Sequence, residues 1–374
     1  MADKKKLTTP LSGLKGCYVA GGAITSLYTN KPINDFDIYP KSDEALNEAI
    51  RWAYEDSGYW CVDHSSRAMT FAKGEKDEHP NIQIMHFDTF ETAQKIFDTF
   101  DFTCCMGAFD LDDEGFVLHP MFLEHCSQRY LSFNTGTRFP YASGWRVNKY
   151  REKGFTIGKI EYQKILLACA AKPITSWEDL KEQIGGVYGE AITIPENEEF
   201  TQEGMWRALE TLTFKGPSGG FDSVEVAIAM MSRTPIKCFR HEGCVWADIY
   251  NDNDYTKLPS EPRNAKFVSI SEAMGSVFYK KALVKNGKYV GPHRTEFEYR
   301  VGEVVVSPSG PGIFCYSDIR AAENHSAYNG SAVHCVLELH IESEADISFS
   351  DQGQLTLKKA KVVAAHDIVK AVAA

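Results

Sequence analysis

The chain has 374 residues, of which 43% are hydrophobic, and a net charge of −11. This length allows roughly two or three domains with cores of their own, and the composition is typical of a globular protein. The acidic balance argues against the basic face that holds long stretches of DNA or RNA. No apolar run approaches the ~18 residues that span a bilayer, and no signal core follows the basic N-terminus. We therefore expect a cytoplasmic protein without a membrane partner.

Residues 1–160 alternate short apolar runs with a helical pattern, which is typical of an α/β domain. The runs predict strands at residues 17–20, 36–39, 82–85 and 116–118. Apolar residues then recur at three- and four-residue spacing and predict a helix over residues 44–56. We expect the first three strands to be neighbours in one sheet, with the helix packed on it.

Two further regions follow this domain. Residues 161–263 are predicted to be helical, and the polar, proline-marked run 251–264 indicates a linker. Residues 264–374 are rich in β-branched and aromatic runs, such as 277–284, and predict a β-rich C-terminal domain. Within it, Asn286-Gly287 between two apolar runs indicates a tight hairpin turn.

The stretch that bears most on chemistry contains a pair of glycines followed by a pair of aspartates. The first predicted strand leads into Gly21-Gly22, which allow a sharp turn and a close approach of a ligand to backbone amides. A short helix beginning near Ala23 points its N-terminus at the same place, which favours a phosphate. Asp35 and Asp37 lie on the next strand and share one face of it, because side chains two residues apart point the same way.

Two neighbouring carboxylates repel each other unless a cation lies between them. Oxygen ligands of this kind suit Mg²⁺, which also binds substrate phosphates, and such a pair is the core of metal-assisted phosphoryl or nucleotidyl transfer. A single Gly-Gly is commonly only a turn, and a single Asp-x-Asp is commonly a solvated strand edge. The combination of Gly21-Gly22 with Asp35 and Asp37 favours the catalytic interpretation.

This stretch resembles the nucleotidyltransferase superfamily typified by DNA polymerase beta, and most of all the head domain of CCA-adding enzymes and bacterial poly(A) polymerases. The resemblance implies an α/β (α+β) nucleotidyltransferase head with a mixed sheet. Asp35 and Asp37 match the metal-binding aspartates of that family, and Gly21-Gly22 match its phosphate-approaching glycines. Where the family carries an Arg-Asp pair, this chain has Thr25-Ser26, which we expect at the triphosphate.

Two weaker likenesses extend the predicted nucleotide site. The run from Phe100 to Ala108 resembles the family's Asp-Phe-Thr block, which implies that Asp101 and Thr103 contact the ribose. The segment with Arg146 and Lys149 resembles the one in which an arginine faces the incoming base, although the acidic pair of that motif is missing here. For the two basic residues, a solvated helix face is an equally good interpretation.

Many members of the superfamily carry a third carboxylate on a later strand. At the corresponding place in this chain stands Gln83, whose amide cannot supply the charge. Asp88, Asp101 or Asp110 could substitute for it. The missing carboxylate motivates an alternative, in which the domain has lost catalysis and serves binding or structure.

The C-terminal region, residues 277–365, resembles a β-rich domain that recurs in phage-encoded proteins, which would place the protein in the host cytoplasm. We predict a Mg²⁺-dependent enzyme that moves a nucleoside monophosphate from an NTP to a hydroxyl and releases pyrophosphate. The acceptor is an RNA 3′ end, a small molecule or a protein. Besides the non-catalytic alternative, a third hypothesis makes the C-terminal region the active part and the head a specificity module.

Overall fold

The computed structural model describes residues 3–74, 79–184, 190–191, 198–210, 213–214, 218–249, 255–292, 294–307, 312–324, 333–350 and 353–368. The chain divides into two compact units, Met1–Ile228 and Ala229–Ala374. The finer division at residues 160 and 263 stays a prediction. Across the described ranges, none of the helices combines the length and apolar character that a membrane span needs.

The first unit is a mixture of strands and helices. Its N-terminal half contains α1 (Lys5–Thr8), β1 (Cys17–Ala20), α2 (Gly22–Tyr28), β2 (Asp35–Pro40), α3 (Asp43–Glu55), β3 (Trp60–His64), β4 (Ala68–Ala72), β5 (Asn81–Met85), α4 (Ala93–Phe97), β6 (Gly107–Asp110) and β7 (Gly115–Leu118). Mainly helices follow: α5 (Phe122–Gln128), β8 (Tyr130–Leu131), α6 (Pro140–Glu152), β9 (Thr156–Ile157), α7 (Lys159–Ala170), α8 (Trp177–Ile184), β10 (Glu190–Ala191), α9 (Gln202–Glu210) and β11 (Thr213–Phe214). The helix α10 (Val224–Met231) begins in this unit and ends after its last residue, Ile228.

The main sheet of this unit has seven strands in the order β3-β4-β5-β2-β1-β6-β7. β2 and β5 are parallel, whereas β1 is antiparallel to both β2 and β6, so the sheet is mixed. The predicted strands at residues 17–20, 36–39 and 82–85 are therefore adjacent, and the predicted helix is present as α3. The predicted fold class, a mixed α/β head followed by helices and a β-rich C-terminal region, is confirmed. The prediction that residues 161–263 are helical is wrong for Ile236–His241 and Cys244–Ala247, which satisfy their backbone groups by pairing as antiparallel strands.

One face of the sheet is covered by α3. Alternation along β2 and β5 buries Phe36, Ile38, Ile82 and Ile84 on a single face, and α3 lies against both strands. The helix begins where the Ser42 hydroxyl accepts a hydrogen bond from the Ala45 amide at 3.1 Å. Its own apolar residues recur at helical spacing and are buried: Leu46, Ala49, Ile50 and Ala53.

The opposite face is covered only in part. Around α4, the side chains of Phe90, Ile96 and Phe97 form a buried cluster with Tyr18 and Tyr39 of the sheet. Tyr39 meets the ring of Phe90 edge-on, with 5.2 Å between the ring centroids. Because side chains alternate along β2, this is also the face that carries Asp35 and Asp37.

The second unit is β-rich. It contains β12 (Ile236–His241), β13 (Cys244–Ala247), β14 (Thr256–Leu258), β15 (Ala265–Phe267), α11 (Ile270–Met274), β16 (Val277–Lys285), β17 (Lys288–Val290), β18 (Glu298–Tyr299), β19 (Val304–Val306), β20 (Ile313–Phe314), α12 (Ile319–Asn324), β21 (His334–His340), β22 (Ile347–Phe349), β23 (Leu355–Leu357) and β24 (Lys359–Asp367). Sheets of four, six and three strands enclose one buried apolar cluster.

Two local predictions in this unit have different outcomes. The hairpin turn is confirmed, because Asn286 (φ 52°) and Gly287 (φ 72°) join the antiparallel strands β16 and β17. The interpretation of residues 251–264 as a linker is wrong for Thr256–Leu258, which form β14 and pair with β13. Residues 251–254 lie outside the described residues.

Candidate functional site

The two predicted metal-binding aspartates lie in the middle of the main sheet. Asp37 is opposite Ala20 of β1 on one side and beside Gln83 of β5 on the other. Residues in register on adjacent strands point to the same face, so Gln83 stands next to Asp37 where the third carboxylate was considered. Asp35 and Asp37 are both half-buried.

The glycine turn passes directly beside this pair. Gly21 has a φ of 79°, and its amide donates to the carbonyl oxygen of Gly107 at 3.1 Å. A Cβ atom added to Gly21 would lie 3.6 Å from Asp37 Oδ2, whereas one added to Gly22 would have no described atom within 4 Å. The backbone at Gly21 therefore approaches the Asp37 carboxylate closely, and the space outside Gly22 is open.

Cationic side chains from α6 act on the aspartate pair. Burial, and then the negative charge of Asp35, raise the pKa of Asp37 to about 7. The positive charges of Lys149, Arg146 and Lys153 act in the opposite direction. Their spacing of three and four residues aligns them on one side of α6 and its C-terminal cap.

The structure thus brings the predicted residues Arg146 and Lys149 to the same place as Asp35 and Asp37. Desolvation, followed by the charge of Lys153, lowers the pKa of Lys149, while Asp35 and Asp37 oppose this. Lys153 was not among the predicted site residues. The signal that could have found it is its helical spacing from Arg146 and Lys149.

The two residues predicted to contact the ribose are engaged inside the protein. Asp101 is only 5% exposed. Its carboxylate accepts hydrogen bonds from Thr137 Oγ1 at 3.1 Å and Ser143 Oγ at 2.8 Å, and it forms an ion pair with Arg146. Thr103 Oγ1 is hydrogen-bonded to His125 Nδ1. A ribose contact stays a prediction for both residues, and it would need these bonds to break.

Thr25 and Ser26, which stand where the resembled family has an Arg-Asp pair, differ in their exposure to solvent. Thr25 is 5% exposed, and its hydroxyl lies 2.8 Å from the carbonyl oxygen of Cys104, to which it donates. This bond fixes α2 against the protein and turns the hydroxyl away from solvent. Ser26 is half-buried on the same helix, and its contact with the triphosphate stays a prediction.

None of the three aspartates considered as a third carboxylate joins Asp35 and Asp37. Asp110 binds Lys41 Nζ at 2.7 Å and is opposite Tyr18, two positions from Ala20 along β1. Asp88 is exposed after the end of β5, and Asp101 is bound to Arg146. Among the residues that the structure describes, no group of three His, Cys, Asp or Glu side chains has metal-binding geometry.

The raised pKa of Asp37 predicts how stability depends on pH. An acid whose pKa rises from 3.8 to about 7 on folding destabilises the folded state as pH increases through that window. Asp37→Asn removes this charge. We therefore expect the variant, without metal at pH 8, to be more stable than wild type by about 1 kcal/mol or more, a value reduced to allow for the partial exposure of Asp37. This corresponds to roughly 2–4 °C in Tm, and at pH 4 the difference should vanish.

A control variant with the opposite sign is Asp112→Asn. Burial by itself would raise the pKa of Asp112, but hydrogen bonds from the Gly16 amide and Lys41 outweigh this effect and lower the pKa. Its charge therefore stabilises the folded state at high pH, and we expect Asp112→Asn to lower Tm at pH 8. Melting curves of both variants at pH 4, 6 and 8 test the assignment. Equal Tm values for wild type and Asp37→Asn at pH 8 would contradict the raised pKa.

Comparison with known proteins gives a match in sequence. Residues 2–129 match the family described as Gabija anti-defense 2 family protein. A protein of Bacillus phage SPbetaL7 named "Gabija anti-defense 2" is 33% identical over 365 residues, which are 92% of this chain and 88% of that protein. This likeness extends over both units.

Similar solved structures include CCA-adding enzymes. A complex of such an enzyme with CTP has a TM-score of 0.37 at 16% identity and covers 56% of this chain and 51% of that chain. The Thermotoga maritima CCA-adding enzyme bound to tRNA has a TM-score of 0.34 at 16% identity, with the same coverage of 56% and 51%. The Bacillus stearothermophilus enzyme with CTP has a TM-score of 0.30 at 17% identity and covers 49% and 48%. The likeness is distant and spans about half the length of each of these chains.

Proposed function

The chain belongs to the Gabija anti-defense 2 family, and we propose that it performs Mg²⁺-dependent nucleotidyl transfer from an NTP to a hydroxyl acceptor as its anti-defence activity. The observation that carries this proposal is the aspartate pair itself. Asp35 and Asp37 share one face of the sheet beside the open backbone of Gly22, and a row of cations from α6 faces them.

The residues at this place fit a magnesium ion. The pKa of Asp37 is raised to about 7 by burial and by Asp35 despite three nearby cations, so the carboxylate pair is short of positive charge. Mg²⁺ is commonly held by one or two protein carboxylates together with substrate phosphates, so two aspartates are enough. Asp35 and Asp37 would bind the ion, which when bound would offset charge on the reacting phosphates.

The remaining groups suit a triphosphate. The Gly21-Gly22 turn passes beside Asp37, and the positive charges of Arg146, Lys149 and Lys153 act on the same carboxylate. Asp101 holds the Arg146 guanidinium in place through an ion pair. Together these groups would keep the α-phosphorus at the aspartate pair and exclude other orientations of the nucleotide.

The proposed reaction consumes only the acceptor and the nucleotide, and Mg²⁺ is not consumed. The hydroxyl oxygen of the acceptor attacks the α-phosphorus, and the bond between that phosphorus and the oxygen leading to the β-phosphorus breaks. The nucleoside monophosphate is then joined to the acceptor, pyrophosphate leaves, and the proton of the hydroxyl passes to water. Positioning and charge stabilisation are the main contributions that a protein makes to such a step.

A labelling experiment tests the proposal. The protein is incubated with each NTP labelled at the α-phosphate, Mg²⁺ and a lysate of host cells, and labelled RNA, protein and small molecules are separated. We expect one labelled class with wild type and none with the Asp35→Asn/Asp37→Asn variant. The same pair is then compared for phage plating on a host that carries the Gabija defence. Plating rescued equally by both proteins would separate the anti-defence role from nucleotidyl transfer.

The second candidate function is binding without catalysis. The specific observation in its favour is the register Asp37–Gln83, which puts a neutral amide beside the metal-binding aspartate. A protein of this kind would be stabilised thermally by Mg²⁺ and an NTP but would label nothing in the lysate.

A further inference from the structure

We propose that the acceptor enters over β5 and β4, on the side of Asp37 away from the glycine turn, and that Arg67 and Arg138 bind a phosphate group carried by that acceptor. This inference rests on the nucleotidyl transfer proposed above and adds the chemical class of its acceptor. The class is a hydroxyl compound that already bears phosphate, such as a nucleotide or the end of an oligonucleotide.

The order of the strands sets the direction of attack. In an in-line displacement, the attacking and leaving oxygens lie on opposite sides of the α-phosphorus. In the proposed complex, the β- and γ-phosphates lie on the β1 side of Asp37, where Gly21-Gly22 follow the end of β1. In the sheet, β1 and β5 flank β2 on opposite sides. With the phosphorus at Asp37, the acceptor hydroxyl therefore approaches from β5.

The path over β5 and β4 carries polar, uncharged side chains. Gln83 is beside Asp37, and Thr70 of β4 is opposite Gln83, so all three share one face. Adjacent strands are about 5 Å apart, so Thr70 lies roughly two strand spacings, or about 10 Å, from the aspartate. Neither Gln83 nor Thr70 repels an anion, and a carboxylate at Gln83 would do so.

Beyond this path lies a cluster of guanidinium groups. Arg67 directly precedes β4, and its Cζ atom is 4.0 Å from the centroid of the Phe139 ring. Its Nη2 donates to the carbonyl oxygen of Glu182 at 3.4 Å. Stacking on one face and a bond at one edge hold the guanidinium plane, and its other N–H groups make no hydrogen bond to any residue that the structure describes.

The charges around Arg67 favour an anion. Burial, and then the positive charges of Arg146 and Arg138, lower the pKa of Arg67, against the opposing effects of Glu182 and Asp101. Asp101 and Arg146 are paired with each other, so their charges largely cancel. Arg67 and Arg138 then outnumber the single opposing charge of Glu182, and Arg138 is exposed beside Phe139. The backbone carbonyl of Arg138 accepts hydrogen bonds from Lys172 Nζ and Gln183 Nε2, each at 3.0 Å, which fixes this loop.

Planar guanidinium groups match phosphate oxygens in geometry and charge. An acceptor without phosphate, such as a nucleoside or a serine-containing peptide, would leave Arg67 and Arg138 unused. A cationic acceptor would be repelled by them. The cluster therefore selects an acceptor that carries a phosphate group in addition to its reacting hydroxyl.

The test compares acceptors that differ only in phosphate. Adenosine, AMP and the dinucleotide pApA are offered with Mg²⁺ and the preferred NTP to wild type and to an Arg67→Gln/Arg138→Gln variant. We expect wild type to favour AMP or pApA over adenosine in kcat/KM by about tenfold or more. The variant should lose this preference through a higher KM for the acceptor, while KM for the NTP stays unchanged.

A second measurement does not depend on turnover. AMP and adenosine are titrated into wild type and the variant without Mg²⁺ or NTP, and we expect a preference for AMP in wild type that the variant lacks. The control is Arg207→Gln on α9, whose side chain is 69% exposed and should change neither result.

The outcomes separate this proposal from the previous one. Equal use of adenosine and AMP, transfer only to a peptide, or an unchanged preference in the variant would overturn the acceptor assignment while leaving nucleotidyl transfer in place. Failure of wild type to bind Mg²⁺ with any NTP, or to transfer to any acceptor including host lysate, would instead overturn the proposed function.

Discussion

Replacing Asp35 and Asp37 together by asparagine is expected to reduce Mg²⁺-dependent nucleotide transfer by at least ~10²-fold while the fold is retained. The amides keep the size of the side chains but lose the charge that attracts a divalent cation, and neutral amide oxygens contribute little to Mg²⁺ binding. The fold should survive because burial and mutual repulsion already make the charged pair unfavourable without a metal. Initial rates with the labelled NTP measure the effect.

Thermal melting supplies the control for this prediction. Mg²⁺ with NTP should raise the Tm of wild type, because a ligand that binds only the folded state stabilises it, and should leave the double variant unchanged. Without ligands, the double variant should melt at the wild-type temperature or slightly above it. Transfer at the wild-type rate by the double variant would remove Asp35 and Asp37 as the metal site.

Replacing Gly107 by alanine is expected to destabilise the first unit by about 1–3 kcal/mol, because the added methyl group overpacks a buried site. A Cβ atom at Gly107 would lie 2.7 Å from Ile24 Cγ2 and 2.9 Å from Phe122 Cε2. Both neighbours are fully buried, so neither can move aside without displacing its helix. Ile24 belongs to α2, so a displacement of Ile24 would move the helix that begins beside the aspartate pair.

The same substitution should also weaken nucleotide binding. The carbonyl oxygen of Gly107 accepts the Gly21 amide at 3.1 Å, so a shift of β6 away from α2 would move the glycine turn relative to Asp37. Denaturant unfolding measures the stability, and titration of Mg²⁺ with NTP measures the binding. Gly115→Ala on β7 is the matched control, since a Cβ there meets no described atom within 4 Å and its effect should stay within about 0.5 kcal/mol. Equal losses in the two variants would contradict the packing argument.

Much of the first unit follows from local patterns in the sequence. Short apolar runs identified β2 and β5, and helical spacing identified α3, because burial in a core selects apolar residues at positions that local structure fixes. The glycine turn and the aspartate pair were also predictable, since Gly21 needs a positive φ and Asp35 and Asp37 are two residues apart on a strand. These features depend on residues that are close in the chain.

Only the tertiary structure determined what surrounds the aspartate pair. It brings α6, more than a hundred residues away in the chain, beside Asp37 and thereby adds Lys153 to the site. It also ties Asp101 to Arg146 and turns the Thr25 hydroxyl toward Cys104. Hydrogen-bond partners and desolvation depend on contacts between distant segments, which no local period encodes. For the same reason the polar run around Thr256–Leu258 forms a strand, since pairing with β13 satisfies backbone groups that its own composition would leave to water.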